Sequence, residues 1–204
     1  MPKINNILEN TRKEVELYGA SGAESVFLTN LRLEFKSKDL DCPEDADLRG
    51  AITDFDWFVL CEKAGCVVPH PSPDESFWIK FFGEQALPYG QAWNFKALKD
   101  TLQNPAKHRR GVLYNPRSYD SPPCILTYQF HVERYSTLDV TVTMRSSDVA
   151  KVLSQDVLMS WLLLCHVAKL VGLEPGDMVF NIANAHIYWE DTEFQEEFTF
   201  DDGL

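Results

Sequence analysis

From residue 138 onward the chain alternates so regularly that few architectures can accommodate it. Leu138, Val140, Val142 and Met144 are separated by Asp139, Thr141 and Thr143, the period-two pattern of a strand buried on one face. A largely apolar stretch from about Asp156 to Leu170 reads as a buried helix. It ends at Gly172, and Pro175-Gly176 prevents continuation. Met178 to Trp189 then returns as a strand. Upstream, Cys124 to Val132 reads as another strand, joined to the next by the short turn Glu133 to Ser136. Glu24 to Phe35 is strand-like, and Asp47 to Leu60 reads as a helix with Leu48, Ile52, Phe55, Val59 and Leu60 on one side. A further helix is expected from about Gln91 to Leu102, with Trp93, Ala97 and Leu98 as its apolar stripe. The order predicts class α+β: a mixed sheet packed against helices, one of them buried and central, in a single domain over 1–204.

Composition narrows the function. Nineteen basic and thirty-one acidic side chains give a net charge of −12. That field opposes direct DNA binding, which depends on neutralising phosphates, and a small anionic ligand would need a local arginine cluster. No apolar run is long enough to span a membrane, and the Met-Pro-Lys-Ile-Asn-Asn start lacks a signal-peptide pattern, so a cytoplasmic protein is expected. The five cysteines are odd in number and irregular in spacing, which fits a reducing compartment. Cys61, Cys66 and His70 have no second ligand pair at a finger-like spacing, so no metal is expected.

Several polar segments make a coherent chemical inventory: His108-Arg109-Arg110, Pro122-Pro123-Cys124, Arg145-Ser146-Ser147-Asp148, and Asn184-Ala185-His186-Ile187-Tyr188. Singly, each has an ordinary explanation, as a solvated basic patch, a buried thiol or strand packing. Together, three arginines and a serine hydroxyl suit a phosphate dianion. A thiol near arginines is a candidate nucleophile, and a His-x-Tyr pair on one strand face can hold a sugar hydroxyl.

These pieces resemble the thymidylate synthase superfamily: the Arg-Arg pair, the Pro-Cys with Gln129-Phe130 after it, Arg-Ser-x-Asp-Val, Gly172-Leu173-Glu174-Pro175-Gly176-Asp177, Ala-His-Ile-Tyr, and Tyr89-Gly90-Gln91-Ala92-Trp93. The resemblance runs from about Pro88 to Tyr188 and implies a thymidylate synthase-like fold and a sheet-mediated homodimer. It implies that Cys124 adds to C6 of a pyrimidine ring. Arg109, Arg110, Arg145 and Ser146 would hold the 5′-phosphate, the Arg-Arg pair reaching in from the second subunit. His186 and Tyr188 would hold the 3′-hydroxyl, with Gln129 in the nucleotide-side network. Tyr89 would support proton transfer near C5, and Asp148 would bind the pterin of the co-substrate 5,10-methylenetetrahydrofolate. The position three residues before the Trp57-Phe58 pair, where the family has a catalytic glutamate, is Asp54, with Asp56 nearby; an exposed helix carboxylate is the plainer alternative. Trp78 is either a folate-stacking residue or core.

Eleven residues beyond Arg145, where thymidylate synthases carry an asparagine, stands Asp156. A carboxylate accepts from the cytosine 4-amino group but opposes O4 of uracil, a mismatch worth about 1–3 kcal/mol when buried. The alternative is that Asp156 caps the helix it opens. With Ile125 after the cysteine, where thymidylate synthases have histidine, the pattern is closest to the phage-type deoxycytidylate hydroxymethylase branch. The implied reaction gives 5-hydroxymethyl-dCMP. A dCMP methyltransferase, a dUMP-directed thymidylate synthase and an inactive nucleotide-binding homologue stay open. The family's N-terminal phosphate arginine is replaced within Tyr18 to Gly22, and only sixteen residues follow Tyr188. A more open folate side, admitting water, is the expectation from that short tail.

Overall fold

A computed structural model describes residues 4–40, 42–83, 86, 88–103, 110–115, 123–133 and 136–192. Among these residues seven strands form one sheet: β1 (Ala20–Ser21), β2 (Ser25–Phe35), β3 (Arg110–Tyr114), β4 (Ile125–Glu133), β5 (Thr137–Met144), β6 (Ser147–Asp148) and β7 (Glu174–Tyr188). The order is β1-β2-β7-β5-β4-β3, with β6 on β7. Pairings are antiparallel except β5 and β6 on β7, which are parallel. A parallel neighbour requires a crossover, and α5 (Leu153–Val171) supplies it. The expected α+β class with a mixed sheet and a buried central helix is what the chain adopts.

Helix α5 is apolar nearly all round because it lies between the sheet and α2 (Leu48–Ala64), against β5 and β7 on one side. Gly172 ends it in the left-handed conformation (φ 76°), where a side chain would be strained. Asp47 caps α2 by accepting from Gly50 N–H at 2.9 Å. Two short helices complete the core side, α3 (Phe77–Phe82) and α4 (Phe95–Leu102), while α1 (Ile4–Tyr18) packs on β2 and β7.

Four local expectations shift, the first being the buried side of α2: Leu48, Ile52 and Leu60 are exposed, and Ala51, Trp57, Phe58 and Cys61 join Phe55 and Val59 inside. The helix expected from Gln91 starts at Phe95 because Asn94 caps it, accepting from Ala97 N–H at 2.8 Å; residues 89–92 form a separate 3₁₀ turn. The last strand begins at Glu174 and includes Pro175-Gly176, with a pairing irregularity opposite Leu138 and Val140. Helix α5 starts at Leu153, three residues before the position expected, so Asp156 lies inside its first turn and caps nothing.

One irregularity bears on the site. Asn30 has φ 59°, and the pairing of β2 with β7 lacks only the Asn30–Ala183 pair, with the register unchanged from Thr29↔Asn184 to Leu31↔Ile182. Along β7, Met178, Phe180 and Ile182 are buried, then burial changes phase to Ala185 and Ile187. Asn184, His186 and Tyr188 are thereby left together on the other side.

The Tyr89-Gly90 turn is held close against α2. A Cβ on Gly90 would overlap the backbone of Phe58, a neighbour that cannot swing aside. Gly90→Ala is therefore expected to lower the unfolding free energy in urea by about 1–3 kcal/mol, as overpacking does.

Candidate active site

Arg145 follows β5, and its N–H donates to Cys124 O at 2.9 Å, which ties the entry of β4 to the exit of β5. The guanidinium then folds back over the thiol. Nε donates to Pro123 O at 3.2 Å, Nη1 to Ser146 Oγ at 3.1 Å, and Nη2 lies 3.9 Å from Cys124 Sγ. Ser146 Oγ is also 3.9 Å from the sulfur. Cys124 is half-buried and lines a cavity of about 530 Å³.

The same cavity is lined by Arg145, Ser146, Asp148, Asp156, His186 and Tyr188, so seven of the residues singled out in the sequence converge there. His186 and Tyr188 stand edge to face at 5.2 Å. Asp148 Oδ1 accepts from Ala150 and Lys151 N–H at 3.0 and 3.1 Å. Its Oδ2 is buried without a hydrogen-bond partner among the described residues.

Asp156 is the most unusual group. It is 1% exposed, and neither carboxyl oxygen makes a regular hydrogen bond among the described residues. Burial pushes its pKa from the ordinary 3.8 up to about 8, opposed by the nearby Ser147 hydroxyl. A neutral carboxyl carries both an O–H donor and a carbonyl acceptor, the minimum needed to read a base edge. Behind it, burial drives the Tyr128 hydroxyl well above its ordinary range, with Tyr89 and Asp156 adding to the shift and Ser160 opposing it.

Other expected residues sit elsewhere. Tyr89 is buried against Phe58 and Trp78, at 5.6 and 5.9 Å between ring centroids. Trp78 is buried, stacked on Phe82 at 4.8 Å, and its Nε1 lacks an acceptor among the described residues. Asp54 is not an exposed helix carboxylate: it is fully buried beneath the segment 70–78 and does not line the cavity. Gln129 points from β4 to the exposed sheet face, opposite in alternation to buried Tyr128 and Phe130. Arg110 is exposed at the start of β3, paired with His131. That is about 20 Å along β4 from Cys124. Arg109 lies outside the described residues.

The cavity also has walls that pattern reading did not single out, Glu24, Ser25, Phe81, Phe82 and Val152, besides Ser147 and Asn184 of the polar segments. Phe81 and Phe82 carried a signal, two adjacent aromatics on a short segment, one of them 42% exposed. Among the described residues no cluster of His, Cys, Asp or Glu could hold a metal; Cys61 instead accepts from Val68 N–H at 3.4 Å. No helix among them is long and apolar enough to cross a membrane.

The raised pKa of Asp156 makes stability depend on pH. The folded chain keeps this proton to about pH 8, whereas the unfolded chain releases it near the ordinary 3.8. Stability from this group is therefore lost as pH climbs between those values and is flat above, with a slope up to about 1.4 kcal/mol per unit. Asp156→Asn removes the term. Its unfolding free energy relative to wild type is expected to rise by ~1 kcal/mol or more between about pH 5 and pH 8, read by urea melts.

Residues 78–198 match the family model described as thymidylate synthase. Two relatives are each 33% identical. One, from Oryza sativa subsp. japonica, bears the name bifunctional dihydrofolate reductase-thymidylate synthase and matches over 103 residues, 48% of this chain and 21% of that protein. The other is the thymidylate synthase of Enterobacteria phage T4, matching over 118 residues, 55% of this chain and 41% of that protein. The chain thus spans less than half the length of either relative. With the family model covering more than half of its residues, around a cavity that joins Cys124 to Arg145, His186 and Tyr188, the chain belongs to the thymidylate synthase family.

Proposed function

We propose that the chain is a deoxycytidylate 5-hydroxymethyltransferase, converting dCMP, 5,10-methylenetetrahydrofolate and water to 5-hydroxymethyl-dCMP and tetrahydrofolate. The observation that carries this reading is Asp156, a buried carboxyl with both oxygens unpartnered on the wall of the cavity that holds Cys124. Cys124 Sγ adds to C6, with the Arg145 guanidinium 3.9 Å from the sulfur. As the ring loses aromaticity, N3 of the adduct becomes amidine-like and takes the Asp156 proton. The resulting carboxylate then accepts from N3–H and the 4-amino group together. A uracil ring has no basic N3 to take that proton, so it meets only the neutral carboxyl and gains no charge-assisted pair.

Arg145 and Ser146 hold the phosphate, and His186 and Tyr188 hold the sugar hydroxyl. The co-substrate supplies a one-carbon unit. The free Oδ2 of Asp148 suits a pterin N–H, and Phe81 and Phe82 give that ligand an apolar wall, which Trp78 backs from behind. Tyr89, which neighbours Tyr128 together with Asp156, serves proton transfer near C5. Water attack on the exocyclic methylene gives the hydroxymethyl product; hydride transfer would give a methyl group and dihydrofolate.

The test uses dCMP or dUMP tritiated at C5, with methylenetetrahydrofolate. Tritium release from dCMP without dihydrofolate is expected, and Cys124→Ala abolishes it. Asp156→Asn is expected to move the dUMP/dCMP ratio of kcat/KM by about 10- to 100-fold toward dUMP, equivalent to roughly 1–3 kcal/mol. Dihydrofolate formation would indicate methyl transfer, and unchanged base preference in Asp156→Asn would overturn the specificity argument. Binding without release from either nucleotide would favour an inactive homologue.

The active unit is proposed to be a homodimer joined through the sheet face that carries Arg110, Val112, Gln129, Thr141 and Thr143. These residues alternate with the buried set, so they point away from the helices. A second copy stacked there would deliver Arg110, and with it Arg109, to the phosphate held by Arg145 and Ser146, which Arg110 of the same chain is too distant to reach. Mixing inactive Arg110→Ala with inactive Cys124→Ala is then expected to restore about a quarter of wild-type activity through heterodimers holding one intact site. No restoration, or a monomer by sedimentation, would refute the shared site.

A further inference from the structure

We propose that Asp54 is a positioning residue, which fixes the aromatic wall of the active-site cavity by anchoring α3 to α2. Three donors from one segment converge on its carboxylate. His70 Nε2 reaches Oδ1 at 3.1 Å, the Ser76 hydroxyl donates to the same oxygen, and Trp78 N–H donates to Oδ2 at 3.0 Å. Ser72 N–H donates to His70 Nδ1 at 3.0 Å, which leaves Nε2 as the proton-bearing nitrogen facing Asp54. Ser76 in turn caps α3, accepting from Ile79 N–H at 2.9 Å. Every contact of the carboxylate thus runs to the segment that leads into α3, and none runs to the cavity.

A six-residue helix cannot hold itself together, because the cost of nucleation exceeds what one or two intrahelical bonds return. Its geometry must come from outside, and Asp54 is fixed on the seventeen-residue α2. The far end of α3 carries Phe81 and Phe82 to the cavity wall. Between the two ends, Phe58 of α2 and Trp78 stack at 6.2 Å, and Trp78 and Phe82 stack at 4.8 Å. Loosening the anchor therefore displaces the wall while leaving Cys124, Arg145 and Asp156 on the sheet and α5 untouched. That this wall faces the folate rests on the function proposed above.

Asp54→Asn sets an amide donor against one of the three donors, and Ser76→Ala removes one donor to Asp54 together with the cap of α3. By hydrogen exchange of the ligand-free protein, both variants are expected to speed the Trp78 and Ile79 amides by about tenfold or more, with α5 unchanged. In steady-state assays both should raise the KM for methylenetetrahydrofolate about 3- to 30-fold, with kcat within about threefold of wild type. The nucleotide KM and the shape of the pH profile should not move. Unchanged exchange in α3 would overturn the proposal. So would a kcat in Asp54→Asn about a hundredfold lower at saturating folate with one limb of the pH profile gone, which would mark a group acting on the ring. A wild-type protein that consumes no methylenetetrahydrofolate with any pyrimidine nucleotide would defeat the functional reading instead, and the exchange comparison would still decide the anchor.

Discussion

The site exists because β5 and β7 run parallel. Parallel pairing with α5 as the crossover brings the ends of both strands to one edge of the sheet, with the first turn of the connecting helix above them. β4, antiparallel to β5, begins where β5 ends. A thiol at the start of one strand, a guanidinium at the end of its neighbour, a carboxyl in a helix's first turn and a His-x-Tyr pair near the end of a third strand are thereby gathered from 65 residues of chain, 124 to 188. Ligand sites recur at strand ends of this kind because the backbone turns there and side chains are freed from packing.

Within that frame the buried polar atoms divide into two kinds. Asp54 and Asn115 are saturated: Asn115 accepts from Trp93 Nε1 at 2.8 Å and donates to Ile125 O at 3.0 Å. Asp148 and Asp156 keep lone pairs unmet beside open space. A saturated group stiffens the scaffold, whereas an unmet one costs stability until a ligand arrives. The contrast separates two aspartates that sequence pattern alone put in the same catalytic class.

Much of this was legible in the sequence because the signals were local. The alternation of residues 138–144, the apolar helix and its glycine stop each depend on neighbours a few residues away, and the strand and helix types follow them closely. The convergence of Cys124, Arg145, Asp148, Asp156, His186 and Tyr188 was read from the order of motifs. Less was legible where partners are remote. Whether Asp54 faces a ligand or a loop depends on the path of residues 70–78, which no period encodes. Phe81 and Phe82 gain their role only through the placement of α3. Trp78, one turn away, faces inward instead. Gln129 follows strict alternation, so its outward direction was readable, but the purpose of that face depends on a second chain.

The phase change at Asn30 and at the stretch from Ala183 to Asn184 has an evolutionary reading. The sugar end of the cavity is set by a change of facing at the one unpaired position, Asn30, across which the register of β2 on β7 is unchanged. A β-branched residue at position 30 would resist the left-handed backbone there and so strain the hand-over between the inward Ala185 and Ile187 and the outward Asn184, His186 and Tyr188. Backbone handedness at this one position is consequently a heritable trait in its own right, separate from the polar side chains whose direction it decides.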